Sequence, residues 1–362
     1  MYIFPFDVHG IRGVFRTKDL ALHKFVQRNY LYFSTIPQQY PGLRPVPQAE
    51  TSLDVCFNGY YSGFAHRRQL VDLSRFCRLG SGMYSLPTEL FWESNLFQIY
   101  VKNEQDRLTV NAAFYERKDQ TIRRVILRGG EFLYQHYQLI TRYIMHFPVL
   151  WLLAHRRGIY PIHAAAVEKE GKAYIFAGLN GSGKSTLAAF MVFNHGYRIL
   201  ADNFTLIDSH QVYGFHECLR LSPSSTSFLN LSEDISRHRI YGKVHIKIDP
   251  DRVSLIAKPE AVFLTSLGDR LEIKPINCTS SLEMMKRAQD FLGEDYRYAY
   301  INFLHPFIKT QSTNLGSPSA RKTDTEVLMK FLQSTPTFML KLPREMHLAE
   351  VAEAIANVYV HP

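Results

Sequence analysis

Two residues in this chain have the types and spacing of a phosphate-handling site: Lys184 and Ser185. The stretch Gly178-Leu179-Asn180-Gly181-Ser182-Gly183-Lys184-Ser185 has two glycines with four residues between them, then Lys and Ser. In such a run the backbone N–H groups of residues 181 to 185 can converge on an anion, reinforced by the positive end of a following helix. Lys184 then reaches β and γ phosphates as a point charge, and the Ser185 hydroxyl enters the coordination sphere of Mg²⁺. The candidate nucleotide-binding residues are Gly178, Asn180, Gly181, Ser182, Gly183, Lys184, Ser185 and Thr186, with ATP and Mg²⁺ as the expected ligands.

Such a loop works only if a strand enters it and a helix leaves it. Ala173 to Ala177 is a short apolar run with aromatic and β-branched residues that ends at Gly178, as a buried strand would. After Ser185, Leu187, Ala188, Met191 and Val192 fall on one helix face, and Gly196 stands where a helix-terminating glycine belongs. Tyr197 to Ala201 is a second apolar run, so a right-handed crossover predicts two strands running the same way. Upstream, Tyr160 to Val167 reads as a strand in a hairpin with 172 to 177 across Lys169-Glu170-Gly171, which brings His163 near the loop. Before it, Glu131 to Arg157 carries Leu133, Tyr137, Ile140, Ile144 and Phe147 at helical spacing; Pro148 should kink or restart this helix, and Gly158 should end it.

The order His163, Gly178 to Ser185, Ala201-Asp202 resembles the HPr kinase/phosphorylase family, whose kinase domain is similar in fold to phosphoenolpyruvate carboxykinase. The likeness covers about residues 135 to 265. It implies an α/β fold with a P-loop nucleotide-binding domain and an ATP-dependent kinase. Asp202 would be the catalytic carboxylate, taking the acceptor proton beside Mg²⁺, with His163 by the transferred phosphate. A carboxylate at a strand end beside the loop can ligate metal or act as base. The family's second aspartate is Asn203 here, and its glutamate–arginine–glycine signature is not found after Asp202; the nearest candidate, Glu217-Cys218-Leu219-Arg220, does not match it and leaves Glu217 and Arg220 as further site candidates. The expected acceptor is therefore a hydroxyl of a peptide, protein or small molecule other than HPr. The alternative is a nucleotide-binding sensor or scaffold with little catalysis. The likeness also implies that a homo-oligomer is to be looked for.

The 362 residues suit two domains, a β-rich α+β N-terminal module over 1–130 and the kinase domain over 131–362; 46% hydrophobic residues are ample for a core. In the first, Leu53 to Phe57, Phe97 to Val101, Leu108 to Phe114 and Val125 to Leu127 are expected strands, separated by turns such as Asn103-Glu104-Gln105-Asp106. Its aromatics Tyr60, Tyr61, Phe64, Phe91, Trp92 and Tyr100 read as core or cross-strand pairs. Prolines 37, 41, 45 and 47 suggest an extended connector over 36–50. Later, Ser222 to Ser227 reads as a loop, Arg237 to Lys247 as a solvated basic face, and 309–324 as a mobile loop; in that basic run Arg239 or Lys243 would alternatively stabilise the transferred phosphoryl group. Ala261 to Thr265 and Thr337 to Leu342 read as strands, Ser280 to Leu292 and Leu348 to Val358 as helices.

The formal charge of +9 comes from scattered Lys and Arg, which suits an anionic ligand such as ATP, while no basic stripe or motif points to nucleic acid. Four separated cysteines form no zinc pair or disulfide framework. Met1 to Phe15 lacks the pattern of a secretory signal, and the longest apolar run, Phe147 to Ala154, is short of the ~20 residues that span a bilayer. A cytoplasmic protein without a membrane segment is expected.

Overall fold

In the computed structural model of this chain the described residues are 1–30, 51–62, 72, 74, 77–80, 83–86, 88–93, 97–104, 107–116, 130–229, 231, 237–240, 243–293, 319–343 and 348–358. The connector expected over 36–50, the strand at 125–127, Phe64 and the side chains of Tyr60 and Tyr61 lie outside them. The protein is mixed α/β and divides into two compact units, one reaching to Arg157 and the other starting at Gly158 and taking in Ala320–Pro362.

The first unit is built on β1 (Tyr2–Val8), β2 (Ile11–Thr17), α1 (Leu20–Asn29), β3 (Thr51–Ser62), β4 (Cys77–Gly80), β5 (Met83–Leu86), β6 (Glu89–Glu93), β7 (Phe97–Glu104) and β8 (Arg107–Glu116). Its sheet runs β1-β2-β3-β8-β7-β6-β5-β4, with β2, β3 and β8 parallel and the other pairs antiparallel. The hairpin β1–β2 alternates buried Phe4, Phe6 and Val8 with exposed positions, the period-2 pattern of a half-buried pair. Asp19 caps α1 by accepting from the Ala21 and Leu22 amides. Neither this hairpin nor α1 was among the elements expected from sequence. Asn103 and Glu104, expected in a turn, belong to β7.

A helical run follows as α2 (Gly130–Thr141), a π-helical turn (Arg142–His146), α3 (Phe147–Leu152) and a second π turn (Leu153–Arg157). The restart expected at Pro148 is seen: α3 begins at Phe147 with the proline in its first turn. The Phe147 N–H reaches back five residues to Arg142, and this wider turn makes room for the proline ring just where its missing N–H would break the four-residue ladder. The sequence reading begins the second domain at 131, yet this run belongs to the first unit. Tyr143 packs on Trp92 and Phe97 at 5.8 and 5.6 Å, and the Tyr137 hydroxyl donates to Asp19 at 3.1 Å. Trp92 and Phe91 thereby take the core roles expected of them.

The second unit comprises β9 (Tyr160–Ile162), β10 (Ala164–Lys169), β11 (Lys172–Ala177), α4 (Lys184–Asn194), β12 (Arg198–Ala201), β13 (Thr205–Ile207), β14 (Val212–Tyr213), β15 (Leu219–Leu221), α5 (Pro223–Phe228), β16 (Arg237–Ile240), β17 (Lys243–Ile246), β18 (Ile256–Gly268), β19 (Glu272–Pro275), α6 (Cys278–Gly293), α7 (Ser319–Ser334), β20 (Thr337–Pro343) and α8 (Leu348–Asn357). The main sheet runs β12-β10-β11-β18-β14-β13-β9, with β20 on the far half of β18 and β19 on β20; β15, β17 and β16 form a small separate sheet. The expected hairpin is β10–β11, from Ala164↔Ala177 to Lys169↔Lys172. The run from Tyr160 is not one strand, however: it breaks at His163, and β9 pairs with β13. β11 and β12 run the same way, as the crossover predicts, but β10 lies between them antiparallel to both. The parallel neighbour of β11 is β18, more than 80 residues later.

One face of this sheet buries Ile175, Ala177, Val262 and Leu264 against Leu282 and Met285 of α6 and Leu328 and Phe331 of α7. On the other, Phe176, Phe263 and Phe338 stack across β11, β18 and β20 with centroids 5.8 and 5.6 Å apart. Ser222 to Ser227 is not a loop but the start of α5: the Ser222 hydroxyl accepts the Ser225 amide at 3.0 Å and Pro223 occupies the first turn, a helix-starting pair. Residues 319–324, expected in a mobile loop, open α7, and 309–318 lie outside the described residues. Among the described residues no helix is long and apolar enough to cross a membrane.

Candidate functional site

β11 delivers the chain into the glycine loop and α4 takes it away. Two glycines make this turn possible. A Cβ on Gly178 (φ 149°) would sit 2.4 Å from the Thr265 carbonyl oxygen, so β18 leaves no room for a side chain there. Gly183 is left-handed (φ 91°) and caps α4. The first helical bond of α4 runs from the Leu187 N–H to the Gly183 carbonyl at 2.9 Å, so the amides of Lys184, Ser185 and Thr186 have no partner within the helix. That end is an anion-binding geometry. The helix then buries Leu187, Ala188, Met191 and Val192 and stops at Gly196, as expected.

Lys184 is almost fully buried and folds back on the loop, donating from Nζ to the carbonyls of Gly178 and Leu179 at 2.7 and 2.8 Å. Burial pulls its pKa down to about 8; the negative charge of Asp202 opposes this and the charge of Lys243 adds to it. Ser185 Oγ donates to Asp202 Oδ1 at 2.6 Å, and the Arg220 N–H donates to Asp202 Oδ2 at 3.1 Å. Asp202 is 3% exposed at the end of β12. The structure therefore brings together Lys184, Ser185 and Asp202, which the sequence singled out.

His163 also belongs to this group. Its Nδ1 lies 3.1 Å from the Asn203 carbonyl, which can only accept, so Nδ1 carries the proton and Nε2 is the bare acceptor. Nε2 is buried and has no hydrogen-bond partner of good geometry among the described residues. Burial first, and the Lys184 charge second, push the His163 pKa down to about 4; the Asn203 carbonyl and the nearby Asn180 side chain work against them. The ring is neutral at pH 7.

Asn203 has a left-handed backbone (φ 87°), a conformation in which Asn is enriched. This turn aims the Asn203 carbonyl at His163. Glu217 and Arg220 lie in the same region as an ion pair at 3.7 Å, while Asn180 and Gly181 form the exposed crest of the loop. The basic run 237–247 is only in part a solvated face. Lys243 is exposed, but His245 is buried on β17 opposite Arg220 of β15. The side chains of Arg237, His238 and Arg239 are outside the described set.

Two contacts carried no sequence signal. Thr186 Oγ1 meets Ser225 Oγ of α5 at 2.9 Å, and Ser182 Oγ meets Thr265 Oγ1 of β18 at 2.7 Å. Both partners are hydroxyl residues remote in the chain, with nothing in their types to link them to the loop.

The donor set suits a magnesium nucleotide. Among the described residues no three His, Cys, Asp or Glu side chains cluster to cage a metal. A hydroxyl and one carboxylate, the rest of the sphere being phosphate oxygen and water, is how Mg²⁺ is ordinarily held. Comparison with protein-family models and with curated proteins finds no match for this chain.

Proposed function

We propose that the second unit is an ATP-dependent phosphotransferase domain of the HPr-kinase and phosphoenolpyruvate-carboxykinase type, moving the γ-phosphate to a hydroxyl of a peptide, protein or small molecule other than HPr. The observation that carries this reading is the 2.6 Å contact between Ser185 Oγ and Asp202 Oδ1 beside buried Lys184. A hydroxyl and a carboxylate already in contact next to a lysine are the two protein ligands and the counter-charge of a magnesium nucleotide site.

The residues divide the work as follows. The amides at the start of α4 receive phosphate oxygens, and Lys184 exchanges the loop carbonyls it now holds for the β and γ phosphates. Ser185 Oγ and Asp202 would hold Mg²⁺, whose bound charge would offset that of the phosphates. Asp202 accepts the proton of the acceptor hydroxyl as the new O–P bond forms and the bond to the β–γ bridging oxygen breaks, leaving ADP. Neutral His163 adds no positive charge and presents Nε2 as an acceptor that would keep a hydroxyl or water in place.

The test is calorimetric titration of Mg·ATP together with γ-³²P transfer to a lysate. Lys184→Ala should weaken binding by at least about tenfold, the scale of one charge-assisted contact to phosphate. Asp202→Asn should keep metal-free ATP binding within a few-fold while cutting transfer by about 10²–10⁴. Wild-type binding with no labelled product would favour the sensor reading, which the single carboxylate at the metal position supports. ATP affinity indifferent to Lys184→Ala would refute both.

A further inference from the structure

We propose that Thr265 is a positioning residue of the phosphate loop: its hydroxyl fixes how Ser182 is oriented and thereby holds the loop arched for a nucleotide. The inference rests on the nucleotide-binding reading above and deepens it.

The direction of the hydrogen bonds follows from counting protons. Thr265 Oγ1 has one, and it lies 3.0 Å from the Ala177 carbonyl, which can only accept. The Thr265 proton is thus committed to Ala177, and the 2.7 Å contact to Ser182 must be donated by Ser182 Oγ–H. The result is an ordered chain, Ser182 to Thr265 to Ala177, that closes across the mouth of the loop from its fifth residue to the strand that feeds it. Thr265 is 3% exposed and Ser182 6%, so water does not substitute for either bond.

Two further observations single out Thr265. The residues before it on β18, Ala261 to Leu264, are apolar and fully buried, so a valine would satisfy packing and the hydroxyl must answer to something else. The space at Gly178 is also closed by this same residue: an added Cβ would lie 2.4 Å from the Thr265 carbonyl oxygen, 2.9 Å from its Oγ1 and 3.0 Å from Ser182 Oγ. Backbone and side chain of one residue therefore grip both ends of the loop's first half.

Thr265→Val keeps the shape and removes both bonds; Thr265→Ser keeps the bonds. Amide hydrogen exchange over residues 178–186 of the unliganded protein and Mg·ATP titration are read for both variants and for Ser182→Ala. With Thr265→Val, loop exchange should quicken and the Kd for Mg·ATP rise by about tenfold each, the worth of the one lost bond that reaches into the loop, Ser182 to Thr265. Thr265→Ser should return both to within about twofold of wild type, and Ser182→Ala combined with Thr265→Val should be no worse than either alone, since they break the same chain. Wild-type exchange and affinity in Thr265→Val, or failure of Thr265→Ser to restore them, would overturn the proposal. A wild type with no affinity for Mg·ATP would sink the nucleotide reading, and loop exchange would then still decide whether Thr265 holds the loop.

Discussion

Acidification should destabilise this protein through His163 in a way that can be separated from all other titrations. The ring is 5% exposed and its pKa falls from 6.5 to about 4, through burial and the neighbouring charge of Lys184. Since the folded value is the lower one, the unfolded chain binds more protons between the two, and stability falls as pH drops through that window. Its full contribution is present above about pH 7. At 1.36 kcal/mol per pKa unit, the loss between pH 8 and pH 5 is about 2 kcal/mol, rising to about 3 kcal/mol below pH 4. His163→Asn removes the titration, and its side-chain N–H can replace Nδ1–H as donor to the Asn203 carbonyl. Urea unfolding of both proteins at pH 8, 7, 6 and 5 gives the difference directly. The stability gap between wild type and His163→Asn should shift by about 2 kcal/mol toward the variant from pH 8 to pH 5. Parallel pH curves would show that the ring is not held neutral by its surroundings, and the acceptor role given to Nε2 would go with it.

Two other substitutions test how the loop is framed. Gly178→Ala puts a Cβ into the Thr265 carbonyl, so backbone must move; a cost of about 1–3 kcal/mol is expected in denaturant unfolding, with weaker Mg·ATP binding, and an unchanged midpoint would contradict the tight approach of β18. Glu168 is buried at the β10–β11 turn, where burial pushes its carboxyl up but Arg198 at 2.6 Å, the Gly171 N–H at 2.6 Å and Ser254 together pull it below the usual range. A depressed carboxyl stabilises above its unfolded pKa and loses that on acidification, so Glu168→Gln should flatten the acid limb below about pH 4.5. Because Arg198 is 43% exposed, the cost at pH 7 is discounted to about 1–2 kcal/mol; no change at either pH would refute the role of this pair.

Local signals in the sequence carried the β11–loop–α4 unit well, because each part is specified by nearby residues: an apolar run, glycines, an amphipathic face and a terminating glycine. Asp202 was singled out by the resemblance, not by a local signal: a lone aspartate after a short strand says nothing by itself about a loop seventeen residues earlier. What was not legible depends on partners distant in the chain. Nothing about Thr265 or Ser225 says that it meets the loop, and nothing in Ala164 to Lys169 says that β10 will insert between β11 and β12. His163 broke its strand because the chain must leave one ladder and join another there, a tertiary demand that periodicity does not record. Ser222-Pro223 was misread as loop composition although the same pair starts helices.

The sheet order has a consequence for the sequence of events in folding. The hairpin β10–β11 is local and can form early, but the place beside β11 is filled only by β18, and Thr265 reaches Ser182 across 83 residues and Ala177 across 88. Closing so long an intervening segment before any contact rewards it is slow. During synthesis the glycine loop therefore emerges long before the strand that shapes it. A chain ending short of residue 265 would carry the whole motif and still lack the element that holds it open, so the motif in isolation is a poor guide to which fragments of this protein can work.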